Sequence, residues 1–246
     1  MKMIRYILGV LYLIWFYLLV ALVTVILFPF LSISILKQSW YPLFFKVARV
    51  WSAMILYGMF SFPVIKRDVV YEKGMSYMFV ANHTSMTDIM LMFYATKSPF
   101  VFIGKKELAK FPLFGFIYKR TCILVDRSNN KSRVEAFRNA EKRLNEGLSI
   151  CIFPEGGVPT DYDLILDNFK DGAFRLAIEH KIPLAPMTFH DNKKRLPYKI
   201  GKGSPGIMRV KIHNTIATTD LESTDRKALK NKTREIILEE LLHPTV

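Results

Sequence analysis

The chain has 246 residues, 51% of them hydrophobic, enough for one substantial core with apolar surface left over. Its formal charge of +14 and the lack of any Asp or Glu before Asp68 make the first quarter purely basic or apolar, a face suited to anionic headgroups or phosphorylated substrates. No zinc-finger spacing, RNA-recognition signature or helix-turn-helix accompanies the charge, so nucleic acid is not an expected partner; Cys122 and Cys151 lie in apolar runs and read as buried thiols, not a disulfide or a metal pair.

Residues 6–36 carry no charge, and 7–28 alone would make a helix about 33 Å long, enough to cross a hydrocarbon core of about 30 Å. Pro29 is expected to end or kink that helix. Residues 40–64 follow as an amphipathic, interfacial segment with Lys46 and Arg49 set among aromatic and aliphatic side chains. Both flanks of the apolar run are basic, Lys2 and Arg5 before it and Lys37, Lys46, Arg49, Lys66 and Arg67 after it. A single span would put one basic flank outside, so a monotopic helix pair in one leaflet of the cytoplasmic membrane is favoured, with the remaining chain facing the cytoplasm. Residues 1–67 are thus expected to form the anchor and 68–246 the globular domain.

Beyond Asp68, short apolar runs alternate with helical patterns. The expected fold class is α/β, a largely parallel sheet flanked by helices, with an N-terminal hydrophobic helical membrane anchor. Strands are expected at 78–81, 100–103, 122–125, 149–153 and 184–188. Helices are expected after Ser85, at 108–118, at 132–146 and at 171–180. The basic, glycine-rich stretch after Pro186 reads as loop, followed by a hairpin around 208–212 and a terminal helix over 224–242. His83, Asp126, Arg127, Pro154 and Glu155 then sit just past the carboxyl ends of strands, where open α/β sheets carry their sites.

The segment Asn82-His83-Thr84-Ser85-Met86-Thr87-Asp88 sets a histidine five residues before an aspartate. In one continuous helix the two would diverge by about 140°. They meet only if the helix begins between them, and Ser85 with Asp88 three residues on has the pattern of a capping box there. His83 then belongs to a turn and Asp88 to the first helical turn. On the residues alone, an ordinary capped turn and a base with its orienting carboxylate are both open.

His83 with Asp88, Val125-Asp126-Arg127, Phe153-Pro154-Glu155-Gly156 and Ile182-Pro183-Leu184-Ala185-Pro186 occur in that order. Together they resemble the four sequence blocks of the glycerolipid acyltransferases, particularly the bacterial 1-acylglycerol-3-phosphate acyltransferases. Phe169-Lys170-Asp171-Gly172-Ala173-Phe174 is similar to that family too.

The resemblance implies transfer of a fatty acyl group from an acyl thioester, acyl-CoA or acyl carrier protein, to the sn-2 hydroxyl of 1-acylglycerol-3-phosphate, giving phosphatidate. It implies His83 as general base oriented by Asp88, and Arg127 as a phosphate-binding cation. Glu155 would bind the acceptor or shape the site, and the backbone of Gly156 and Gly157 would approach an anion or oxyanion. Lys105, past a strand end, is a further cation. Membrane lyso-lipid and the thioester carrier are the implied partners, with no cofactor and no metal.

The chain departs from the pattern in its third block. That block usually continues Gly-Thr-Arg-Ser, and here it reads Gly156-Gly157-Val158-Pro159; Thr121 stands where the second block usually opens with Gly. The changes bear on the acceptor headgroup, so another lyso-lipid, such as a lyso amino-acid lipid, is the alternative acceptor. A non-catalytic membrane adaptor is the alternative of another class.

Overall fold

The computed structural model describes residues 2–111, 114–126, 128–159 and 161–246. In chain order the elements are α1 (Lys2–Ser34), α2 (Tyr41–Gly58), β1 (Ser61–Arg67), β2 (Met78–Ala81), α3 (Thr87–Ala95), β3 (Phe100–Lys105), α4 (Phe114–Thr121), β4 (Cys122–Val125) and α5 (Asn130–Asn145). They continue with β5 (Ser149–Ile152), α6 (Gly172–Glu179), β6 (Leu184–Phe189), α7 (Asn192–Arg195), β7 (Gly206–Ile212) and α8 (Arg226–Leu242). The strands form one sheet in the order β1-β7-β6-β2-β5-β3-β4. Every neighbouring pair is parallel except β6 with β7.

The central strands are almost entirely apolar, Ser149 and Thr188 apart, because helices cover both faces of the sheet. All of Met78–Ala81 and all of Leu184–Phe189 are buried. On one face α2 packs through Phe45 against Phe93 of α3 and Phe100 of β3, with ring centroids 5.8 and 5.3 Å apart. The buried Tyr41 hydroxyl donates to the carbonyls of Phe100 at 2.8 Å and Thr121 at 3.3 Å, tying the start of α2 to the sheet.

Several expectations are corrected. Pro29 does not end the first helix, which runs on to Ser34; its missing N–H removes one bond from a long helix whose other turns continue the ladder. Residues 40–64 are not one amphipathic segment, because α2 stops at Gly58 and a strand begins at Ser61. That strand, β1, lies at the sheet edge, where Pro63 and Lys66 are tolerated and Phe62 and Val64 are exposed, and its apolar stretch at 62–65 continues that of α2 in the sequence. The stretch at 208–212 is one strand, β7, whose antiparallel partner is β6 across a long connection, not a hairpin. The expected helix at 108–118 is a 3-10 turn at Lys106–Lys110 followed by α4. Lys193, Lys194 and Arg195 lie on the short α7 rather than in a loop.

Helix α1 packs on α2 along a narrow buried seam that includes Phe16, Leu19 and Val23. Trp15 Nε1 donates to Gly58 O at 2.8 Å, and Trp51 Nε1 to Thr24 Oγ1 at 2.9 Å. Both halves of α1 also meet the α/β body. Near its start, a Cβ on Gly9 would come within 2.4 Å of the Gly201 carbonyl, and toward its end Phe28 lies 6.4 Å from Phe116 of α4. The rest of its surface, Leu8, Leu11, Leu18, Leu22, Val25, Ile26, Phe30 and Ile33 among it, is apolar and exposed.

Candidate active site

His83 follows β2 at the carboxyl edge of the sheet, and α3 begins four residues later, so the break that the five-residue spacing demands is present. His83 Nδ1 pairs with Asp88 Oδ2 at 2.7 Å. The same oxygen accepts the backbone N–H groups of Thr84 at 2.6 Å and Ser85 at 2.9 Å. The Ser85 bond is one half of the expected capping box. The other half is altered, since Ser85 Oγ accepts from Thr87 N at 3.1 Å, not from Asp88 N, and donates to Leu196 O at 2.7 Å. The Ser85 hydroxyl is fully buried and committed to structure.

Asp88 is 0% exposed and His83 17%, so the pair presents its imidazole and hides its carboxylate. Asp88 lies in the first turn of α3, where the helix dipole favours a negative charge. With Nδ1 engaged by Asp88, the free ring nitrogen is Nε2. The ring stacks on Phe153, centroids 4.3 Å apart and planes within 15°, which fixes its tilt.

Two contacts hold this pair from outside its own segment. Asn192, fully buried at the start of α7, donates from Nδ2 to Asp88 Oδ1 at 2.5 Å. Glu155, 4% exposed just past β5, accepts the His83 backbone N–H at 2.6 Å on Oε1 and the Asp167 N–H at 3.0 Å on Oε2. Burial raises the Glu155 carboxyl above its ordinary range, against the lowering effect of those two backbone bonds. Both Glu155 carboxylate oxygens are thus engaged by backbone N–H groups.

Among the described residues, Gly156, Gly157 and Lys105 make no hydrogen bond to the pair. Gly156 has φ +85°, a left-handed conformation that calls for glycine, and its N–H is engaged by Phe153 O at 3.1 Å. Gly157 N–H has no backbone acceptor among the described residues, and no atom within 4 Å would meet a Cβ there. Lys105 is exposed at the end of β3, two strands from β2, so about 10 Å across the sheet. Arg127 lies outside the described residues, while its neighbour Asp126 closes the turn after β4 by accepting from Ser128 N and Oγ. Sequence reasoning missed Asn192 and the stacking role of Phe153. Asn192 sits before a basic cluster with no motif to flag it, whereas Phe153, beside Pro154 and Glu155, was within sight.

The sequence profile of the Acyltransferase family matches residues 64–190. The chain is similar to a chloroplast 1-acyl-sn-glycerol-3-phosphate acyltransferase of Arabidopsis thaliana, 27% identical over 176 residues that cover 69% of this chain and 48% of that protein. A 1-acyl-sn-glycerol-3-phosphate acyltransferase of Haemophilus influenzae is 33% identical over 135 residues, 54% of this chain and 55% of the relative. The chain thus spans about half the length of the curated relatives it matches. Its fold is that of the 1-acyl-sn-glycerophosphate (LPA) acyltransferase PlsC from Thermotoga maritima, with a TM-score of 0.78 over 100% of both chains at 23% identity. With the profile match spanning just over half of the residues and enclosing His83, Asp88 and Glu155, the chain belongs to the glycerophospholipid acyltransferase family.

Proposed function

We propose that the protein is a membrane-bound O-acyltransferase that moves a fatty acyl group from an acyl thioester to the sn-2 hydroxyl of 1-acylglycerol-3-phosphate, giving phosphatidate. The observation that carries this reading is the His83–Asp88 pair, 2.7 Å apart, with the carboxylate buried and the imidazole open to the solvent side. The similar proteins named above are 1-acylglycerol-3-phosphate acyltransferases, and their acceptor is the one proposed here.

In the proposed mechanism His83 Nε2 removes the proton of the acceptor hydroxyl as its oxygen attacks the thioester carbonyl. Asp88 holds the tautomer and stabilises the imidazolium, itself braced by Asn192 and two backbone N–H groups. Collapse of the tetrahedral intermediate forms the new ester and breaks the C–S bond. The leaving thiolate takes the proton back from His83. No covalent enzyme intermediate is needed, in keeping with the committed Ser85 hydroxyl. Lys105 and Arg127 are proposed to meet the acceptor phosphate on the β3–β4 side, and the Gly157 N–H to face the developing oxyanion.

Helices α1 and α2 are proposed as a monotopic anchor with the catalytic domain on the cytoplasmic side. Support comes from α1 touching the α/β body near both ends, as a helix lying along the domain would, and from its broad exposed apolar face. Phe62 and Ile207, register partners on β1 and β7, add exposed apolar surface at the sheet edge.

Acyl transfer by purified protein to lysophosphatidate, lost in His83→Ala, is the test. Equal transfer by that variant would sink the mechanism. A lyso-lipid with another headgroup is the second reading, favoured by Gly157 and Val158 standing where the family has a hydroxyl and a cation. Faster transfer to a neutral or zwitterionic lyso-lipid than to lysophosphatidate in one assay would select it.

A further inference from the structure

Acyl transfer from a thioester to a lyso-lipid brings two phosphate-bearing molecules to one histidine, and the sheet places cationic surface on both sides of it. On the β5-β3-β4 side stands Lys105, exposed at the end of β3. On the β6-β7-β1 side is an open cleft of about 1480 Å³ between the start of α1 and the segment joining α7 to β7. Because β7 and β1 run against β6, their starts and the end of β6 open on the edge that carries His83.

Six cations line this cleft, Lys2, Arg5, Lys193, Lys194, Lys199 and Lys202, with no Asp or Glu among its described lining residues. Three of them surround one ring: the Nζ atoms of Lys193, Lys199 and Lys202 lie 4.7, 5.5 and 5.4 Å from the centre of Tyr162. Like charges gathered about one ring repel each other, and a polyanion entering among them relieves that repulsion.

The backbone beneath the lysines is fixed. Arg195 points elsewhere, donating to Ile207 O at 3.0 Å, Ser204 Oγ at 3.0 Å and Pro205 O at 2.8 Å, and so pins the loop that carries Lys199 and Lys202. Gly201, at φ +75°, lies so close to α1 that a Cβ would come 2.1 Å from Tyr6. Leu196 O, at the root of the same loop, accepts the Ser85 hydroxyl, which joins the cleft to the turn bearing His83.

We infer that this cleft binds the phosphates of coenzyme A, and that the donor is a coenzyme A thioester. The inference rests on the acyl-transfer reading above and deepens it. The acceptor phosphate, one carbon from the reacting centre, needs one or two cations beside His83. Six cations in a cleft larger than the roughly 300–1,000 Å³ of ordinary small-ligand sites match a carrier with a diphosphate and a third phosphate. The carrier's long uncharged arm separates those phosphates from the thioester, so the carrier end can occupy a flank while the carbonyl reaches the histidine. A concave site suits a small polyanion better than the convex acidic surface of a carrier protein.

Coenzyme A binding to the purified full chain in uncharged detergent tests this without turnover. Lys193→Ala/Lys199→Ala/Lys202→Ala should weaken coenzyme A by about tenfold or more, with a shallower salt dependence, and leave the KM for lysophosphatidate unchanged. Pantetheine, which lacks the phosphates, should bind wild type and variant alike. Unchanged coenzyme A binding in the variant overturns the inference. So does a rise confined to the acceptor KM, a loss confined to binding of anionic vesicles, or a rise in KM for acyl carrier protein alone. Lys199→Ala and Lys202→Ala singly, both on the exposed loop, repeat the measurement if the triple variant does not fold. A protein that binds coenzyme A yet acylates no lyso-lipid would refute the proposed function and leave this site standing.

Discussion

Removing the Asn192 amide should cost both stability and turnover. Among the described residues Asp88 Oδ2 has three partners, whereas Oδ1 has the Asn192 Nδ2 alone, at 2.5 Å, and both side chains are fully buried. Asn192→Ala therefore leaves one oxygen of a buried carboxylate without a hydrogen bond, a loss of about 2 kcal/mol for a charge-assisted bond. In a chain of this size that corresponds to a fall of about 4–8 °C in Tm. If the same amount is lost from the transition state, where Asp88 faces the imidazolium, kcat falls about thirtyfold. Asn192→Asp separates the electrostatic from the steric role. Two carboxyl groups at this distance must share a proton, so this variant should keep the bond at low pH and lose activity as the pH is raised, an alkaline fall that Asn192→Ala does not show. Measuring kcat, both KM values and thermal unfolding across pH for the three proteins is sufficient. Wild-type kcat and Tm in Asn192→Ala would refute the reasoning.

Other predictions follow from the same contacts. Inserting one residue between Ser85 and Met86 should abolish transfer while the circular dichroism spectrum stays folded, because the turn can no longer return His83 Nδ1 to Asp88; an active insertion variant would show that the pairing is not the mechanism. Glu155→Gln should destabilise by about 1–3 kcal/mol in thermal unfolding and lower kcat, since both carboxylate oxygens accept backbone N–H groups and the new amide NH₂ must face one of those donors. Burial first of all, with Glu240 opposing and Lys211 adding to it, holds the His213 imidazole down to about 4. A lowered histidine contributes stability above its ordinary value near about 6.5 and loses it as the pH falls toward about 4, about 3 kcal/mol over that window. His213→Gln should therefore flatten the drop in urea midpoint between those two pH values, and an unchanged drop would count against the assignment.

What could be read from the sequence was local or fully buried. The pair at 83 and 88 shows itself because five residues and one helix start contain its whole geometry. The central strands β2, β5 and β6 show themselves because burial on both faces removes polar alternation, leaving apolar runs such as Met78–Ala81. Edge strand β1 is hidden because its apolar stretch at 62–65 runs on from that of α2, with Pro63 inside it. Asn192 is 104 residues from the carboxylate it braces, and nothing in its neighbours marks it.

The distribution of those contacts along the chain has a mechanistic consequence. The imidazole and its carboxylate are held by Phe153 and Glu155 after β5, by Asn192 after β6, and by the Leu196 carbonyl through Ser85. Strand β2, which presents His83, lies between β5 and β6 in the sheet. The orienting groups therefore reach the pair only when both neighbouring strands have docked on β2. The motif supplies a base and a carboxylate, while the parallel sheet supplies their alignment. A chain that keeps residues 82–88 but fails to dock β6 retains the motif and loses its orientation. Substitutions in the β6–α7 segment should accordingly lower kcat more than they raise either KM.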